Sequence, residues 1–195
     1  MIKGIIFDLD GTLIQLPIDY EKIQKKLKEF FNISDNLIPL IPKIIELSKN
    51  DQNKIKKSFD LICEEEELVC NDFKIMDGTL EILKFYKSKN ILLSLVTMQC
   101  NGALTKVLEK MEISDLFDSL ISRDESVDRQ NQIKLSLKNI GIKASEVLVV
   151  GDRINDIESA KKVGCIPILK INEIQKIPPF ECKTIKNLIE LKLIT

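Results

Sequence analysis

Four short, nearly uninterrupted apolar runs constrain what this chain can fold into: GIIF at 4–7, ILLSLVT at 91–97, EVLVVG at 146–151 and CIPIL at 165–169. A strand that is apolar at every position must be covered on both faces, which is the condition of a parallel strand inside an α/β sheet. The segments between the later runs carry helical spacing. Leu80, Leu83 and Phe85 precede the second run; Leu104, Val107, Leu108 and Met111 follow it; Ile133, Leu137 and Ile140 lead to Gly141, a helix stop. Alternating strands and helices predict an α/β fold with a doubly wound parallel sheet. In such sheets ligands bind outside the carboxyl ends of the strands, where the strand order reverses.

Residues 16–75 break the alternation. They offer amphipathic helical material (Ile23, Leu27, Phe30; Ile44, Leu47; Ile55, Phe59, Ile62), punctuated by Pro39 and Pro42, and no strand-like run. This predicts a small α-helical domain at 16–75 inserted into a core made of 1–15 and 76–195. The EEEE run at 64–67 and the lysines at 22, 25, 26 and 28 read as solvated helix faces. Lys plus Arg (29) nearly balances Asp plus Glu (30), and there is no Trp and only two Tyr, so neither a basic field nor a base-stacking surface points to nucleic acid. No apolar run reaches membrane-spanning length and no leader precedes the first strand, so a soluble cytoplasmic protein is expected, with no membrane association. No feature marks an obligate protein partner. The five cysteines form no CxxC pair and read as reduced packing residues. With no histidine, acid–base work falls to carboxylates, Lys, Tyr or Cys.

The chemistry gathers at the ends of the apolar runs. Asp8 and Asp10 directly follow the first, and at i and i+2 of extended chain they project to the same side, while Gly11 lets the chain turn away. One carboxylate can attack while the other handles protons. GDRIND at 151–156 follows the third run, with Asp152 leaving the strand end as Asp8 does; Asn155 followed by Glu158 reads as a capping box for the next helix. Thr97 closes the second run with a hydroxyl that can donate to a phosphate oxygen. Together these make an oxygen-rich rim suited to a hard cation such as Mg²⁺ and to phosphoryl transfer.

FDLDGTL at 7–13, Thr97 after a hydrophobic strand, and VGDRINDIESAKKVG at 150–164 resemble the motifs of the haloacid dehalogenase superfamily. The resemblance is to its phosphatase branch, phosphoglycolate phosphatase-like, with an α-helical cap after the first motif. It implies Mg²⁺-dependent hydrolysis of a small phosphorylated metabolite. Asp8 is then the nucleophile, Asp10 the general acid and base, and Thr97 a hydrogen-bond donor to the phosphoryl group. The phosphoryl-facing surface would comprise Leu9, Gly11, Thr97 and Met98. The metal would be held by Asp8, by Asp10 through its backbone carbonyl, and by Asp152, with Asp156 as supporting acid. One departure stands out: the family's lysine ahead of the helix preceding the Asp152 motif is absent, and aligning back from Gly141 places Val127 there. The nearest cations are Arg129, Arg123 and Lys134, of which Arg129 is the expected substitute.

A phosphomutase would use the same motifs. A non-catalytic phosphate-binding or regulatory module is the reading from another class. Receiver domains also place acids, a Thr and a cation on a parallel sheet, but their phosphorylated aspartate ends the third strand rather than the first.

Overall fold

The computed structural model of the chain describes residues 1–171 and 182–194. The chain begins with β1 (Gly4–Phe7) and turns through the short β2 (Ile14–Gln15) into three helices, α1 (Tyr20–Phe31), α2 (Leu40–Ser48) and α3 (Gln52–Val69). It returns through β3 (Lys74–Ile75) to an alternating series: α4 (Thr79–Ser88), β4 (Leu92–Val96), α5 (Asn101–Met111), β5 (Ser119–Ile121), α6 (Arg129–Ile140), β6 (Val147–Gly151), α7 (Ile154–Val163), β7 (Ile166–Lys170) and β8 (Lys183–Ile185).

Six of these strands form one parallel sheet in the order β5-β4-β1-β6-β7-β8. β1 is central, with Phe7 paired to both Leu95 and Val150. Its apolar run is continuous because each face meets a different helix layer. Ile5 and Phe7, with Leu93, Leu95, Leu148 and Val150, pack among side chains of α4 and α5. Ile6, with Val96, Val147 and Val149, packs against Ile133, Ile140 and Ala160 of α6 and α7. The four predicted strands are present. β5 and β8 were not anticipated, since each is a three-residue edge strand with an exposed position and too short to register as an apolar run.

The helices between β1 and β4 have a separate core of Ile23, Leu27, Leu37, Ile44 and Ile62. Asp19 and Asp51 cap α1 and α3 by accepting backbone N–H bonds. Pro39 and Pro42 do not break a helix: Pro39 is the N-cap of α2 and Pro42 lies in its first turn, where the missing N–H would have no intrahelical partner. Contrary to the expectation that 16–75 holds no strand, β3 lies inside it and pairs antiparallel with β2, Ile14 opposite Ile75. Among the described residues no helix is long and apolar enough to cross a membrane.

Two further expectations are corrected. The EEEE run is not a solvated face: Glu65 (5% exposed) takes Lys22 and Lys26, each at 2.7 Å, and Glu66 (4%) points inward. Nor are all five cysteines reduced packing residues, because Cys63 of α3 and Cys100 at the start of α5 form a disulfide. Both errors have one origin: the partners lie outside the segment's own neighbourhood, on another helix or across the boundary between the three helices and the sheet.

Candidate active site

Asp8, Thr97 and Asp152 each follow the last residue of one of three neighbouring strands, β1, β4 and β6. The β1–β6 ladder runs on into the first acid, whose N–H donates to the Val150 carbonyl at 2.9 Å. Gly11 then turns the chain with φ +89°, and a Cβ there would collide with the Asp152 carboxylate. Gly151 plays the same part for Asp156, so two glycines create the room in which carboxylates approach the backbone. Asp8, Asp152 and Asp156 each present a carboxylate oxygen, all within 4.8 Å of one another. Such a buried, all-oxygen donor set fits a hard divalent cation such as Mg²⁺.

Asp156 is fixed as the third residue of α7, where it accepts the Arg153 N–H at 3.1 Å. This replaces the anticipated Asn155–Glu158 box, because the helix begins with Arg153 as its N-cap and the reciprocating acid is therefore Asp156. Asp10 stands apart from the three-acid cluster. One of its oxygens accepts the Leu16 N–H at 2.8 Å, and the residue lines the adjoining cleft.

Of the three candidate cations, Arg129 reaches the acids. As the first residue of α6, capped by Asp128, it sends Nη2 to Asp8 Oδ1 at 2.8 Å and Nε to Asp156 Oδ1 at 2.9 Å, and its Nη1 is buried with no hydrogen-bond partner. Arg123 is turned to Glu66 instead, and Lys134 is exposed on α6. Val127, the ungapped alignment position, lines the cleft without a charge. One turn on from Arg129, the buried Gln132 donates through Nε2 to the carbonyls of Thr97 (2.7 Å), Ser122 (3.0 Å) and Ser126 (2.8 Å). It thereby ties the ends of β4 and β5 to the segment that carries Arg129.

The remaining expected residues divide. Thr97 reaches the rim but is fully buried, and its hydroxyl donates to the Gln99 side chain. Leu9 puts its side chain into the hydrophobic core, leaving only its backbone for a ligand. Met98 lines the cleft and its carbonyl accepts from Arg123 at 2.6 Å. Lys170, which ends β7 and is 5% exposed, donates to the Gly11 carbonyl at 3.1 Å. It was missed although its signal, a charge closing an apolar run, is the one that pointed to Asp8.

A cleft of about 670 Å³ separates this rim from the helical insertion. α2 and α3 supply an apolar wall, and Glu66 crosses to the sheet side: its carboxylate takes Arg123 in a two-pronged pair at 2.7 and 3.0 Å and accepts the Cys100 N–H at 2.9 Å. The Arg123 guanidinium also lies over Phe59, 5.4 Å from the ring centre.

Burial dominates the electrostatics. It pushes the Asp8 carboxyl well above its ordinary range, opposed by Arg129 and reinforced by Asp156 and Asp152. It raises Asp152 to about 6, with Asp156 adding to the effect, and it raises Asp10 despite the Leu16 hydrogen bond. A cation among these acids would reverse the trend for the ligands it touches.

Such a rim on a doubly wound sheet defines an acid-based hydrolase or phosphotransferase core. The haloacid dehalogenase-like hydrolase signature matches residues 5–169. A Clostridium perfringens protein named as a pyrophosphatase is 30% identical over 182 residues, covering 84% of this chain and 81% of that protein. A phosphoglycolate phosphatase of Aquifex aeolicus is 27% identical and covers 97% of this chain and 96% of its own. In shape the chain is similar to a haloacid dehalogenase-type phosphatase from Thermococcus onnurineus, with TM-score 0.71, 24% identity and coverage of 99% and 97%. The chain belongs to the haloacid dehalogenase-like hydrolase family, in its phosphatase branch.

Proposed function

We propose that the chain hydrolyses small phosphate monoesters through a phosphoryl group carried transiently on Asp8. The observation that carries this reading is the convergence of Asp8, Asp152 and Asp156 within 4.8 Å, with Arg129 2.8 Å from Asp8. Asp8, Asp152 and the Asp10 carbonyl would hold Mg²⁺, with Asp156 as the supporting acid. When bound, Mg²⁺ shares the charge of the carboxylates and the phosphoryl oxygens.

The Asp8 carboxylate attacks phosphorus as the bond to the ester oxygen breaks, and Asp10 gives that oxygen its proton. Burial raises the Asp10 carboxyl above its ordinary range, the direction that favours a proton donor. Asp10, now ionised, takes a proton from water as the water oxygen attacks phosphorus; inorganic phosphate leaves and Asp8 is restored. Arg129 replaces the lysine of the family pattern: two of its nitrogens fix Asp8 and Asp156, and Nη1 is the donor left for a phosphoryl oxygen. Thr97 joins it once its hydroxyl turns from Gln99. The helices between β2 and β3 act as a cap that excludes water and sets specificity.

The names of the relatives support a small phosphorylated substrate. The test is phosphate release from a panel of monoesters with Mg²⁺ and with EDTA, with Asp8→Asn beside the wild type. Metal-dependent release abolished in Asp8→Asn is expected; release that persists in that variant would remove Asp8 as nucleophile.

A further inference from the structure

We infer that the Cys63–Cys100 disulfide is a regulatory site of reversible thiol–disulfide exchange. Oxidised, it locks the helical insertion onto the sheet and slows turnover; a dithiol reductant releases it. This rests on the phosphatase reading above and adds the regulation of that site.

The chain enters the insertion after β2 and leaves it before β3, and those two strands are paired, Ile14 opposite Ile75. Two crossings held side by side make one hinge, about which the three helices, with a core of their own, can swing as a body. The disulfide is a third connection, off that hinge. Cys63 lies nearly two turns before the end of α3 at Val69, about 9 Å along its axis, and its partner Cys100 is the N-cap of α5 on the sheet side.

Insertion and core are also tied without covalent bonds, by Glu66 to Arg123 at 2.7 and 3.0 Å and by Lys106 to Glu67 at 2.7 Å. These ties separate reversibly: an opening cleft returns water to both charges, and the desolvation cost of burying the pair is recovered. An S–S bond does not separate that way, so the disulfide decides whether the cap can move. It also ends beside the phosphoryl site. Cys100 follows Met98 and Gln99, which line the cleft, and its N–H donates to Glu66 at 2.9 Å; Gln99 in turn accepts the Thr97 hydroxyl. The segment that offers this hydroxyl is thus pinned to α3 in the oxidised protein.

Cys63 is half-buried whereas Cys100 is 2% exposed, so an incoming thiolate meets the Cys63 sulfur. A bond forms between the reductant and Cys63 Sγ as the Cys63–Cys100 bond breaks. Cys100 leaves as a thiolate at the N-terminus of α5, where the helix dipole favours it, and then takes a proton. The second thiolate of the reductant displaces Cys63 from the mixed disulfide. Two electrons have then passed to the protein, and the dithiol has become a cyclic disulfide.

The experiment compares phosphate release by the full chain with Mg²⁺, oxidised and after reduction with dithiothreitol. Reduction should raise kcat about fivefold or more. Cys63→Ser, which cannot form the bond, should turn over at the reduced rate with or without dithiothreitol. Equal or faster turnover by the oxidised protein overturns the inference, as does a response to reductant that survives in Cys63→Ser. Hydrogen exchange of the folded protein without substrate reads the release itself: amides of α3 and of residues 98–104 should exchange about tenfold faster or more once reduced. Unchanged exchange overturns the inference. If no ester is hydrolysed in either state, faster exchange upholds the lock and only the hydrolase reading falls.

Discussion

Replacing Gln132 with leucine should damage catalysis and stability together, although the residue touches neither the acids nor the cleft. Its Nε2 supplies the carbonyls of Thr97, Ser122 and Ser126 at 2.7 to 3.0 Å, and the side chain is fully buried. Leucine fills nearly the same space and donates nothing. The Ser122 carbonyl keeps the Ser126 N–H at 3.5 Å, but the other two lose this donor at about 1 to 3 kcal/mol each, while removing the amide oxygen, itself buried without a partner, returns part of that. A net loss of about 3 kcal/mol follows. At roughly 2.1 cal/mol/K of unfolding entropy per residue, a chain of 195 residues should lose about 7 °C in Tm. Because the three carbonyls belong to the segments bearing Thr97, Arg123 and Arg129, relaxation there should lower kcat by about tenfold or more with a smaller change in KM. Thermal unfolding and steady-state kinetics measure the two effects. A Gln132→Leu variant with Tm within about 2 °C of wild type and unaltered kcat would refute the bracing role.

Three other outcomes are expected. Arg129→Ala should lower kcat about 100-fold or more, since it strips a buried donor from Asp8 and Asp156, and Arg129→Lys should fall between, keeping the charge but losing the two-sided reach, as phosphate-release assays would show. Reducing the Cys63–Cys100 disulfide, whose sequence separation is 37, should cost about 4 kcal/mol by the chain-entropy relation, and thiol titration in denaturant should rise from three groups to five. Asp152 titrates at about 6 when folded against an ordinary 3.8, so between those pH values the folded protein keeps a proton that the unfolded chain has released. The contribution of Asp152 to the stability of metal-free protein therefore falls as pH rises through that window, and stabilisation by Mg²⁺ should grow across it; calorimetric melts at about pH 5 and pH 7, with and without Mg²⁺, check both signs.

What could be read in the chain beforehand depended on sequence distance. Asp8 and Asp152 follow their own apolar runs, and the sheet brings those runs together by a general rule of topology, so local signals sufficed for the acids. Arg129 was one of three candidates because position along a loop does not fix which cation turns inward. Its place as the first residue of α6, set by the Asp128 cap, settles the direction. Glu66 and Arg123 are 57 residues apart, Gly11 and Lys170 159 apart, and nothing local to either member announces the other.

The same distance explains why the EEEE run misled. A glutamate within a charged run reads as solvated because burying a charge is costly unless a partner is supplied. Here the partner comes from the loop after β5 for Glu66 and from α1 for Glu65, so the run is buried by groups that its own neighbourhood does not contain. With Glu66 buried against Arg123, the far side of the cleft carries a paired guanidinium in place of a free one. The acids at the strand ends and the ion pair that ties the insertion to the sheet thus come from opposite sides of one cleft.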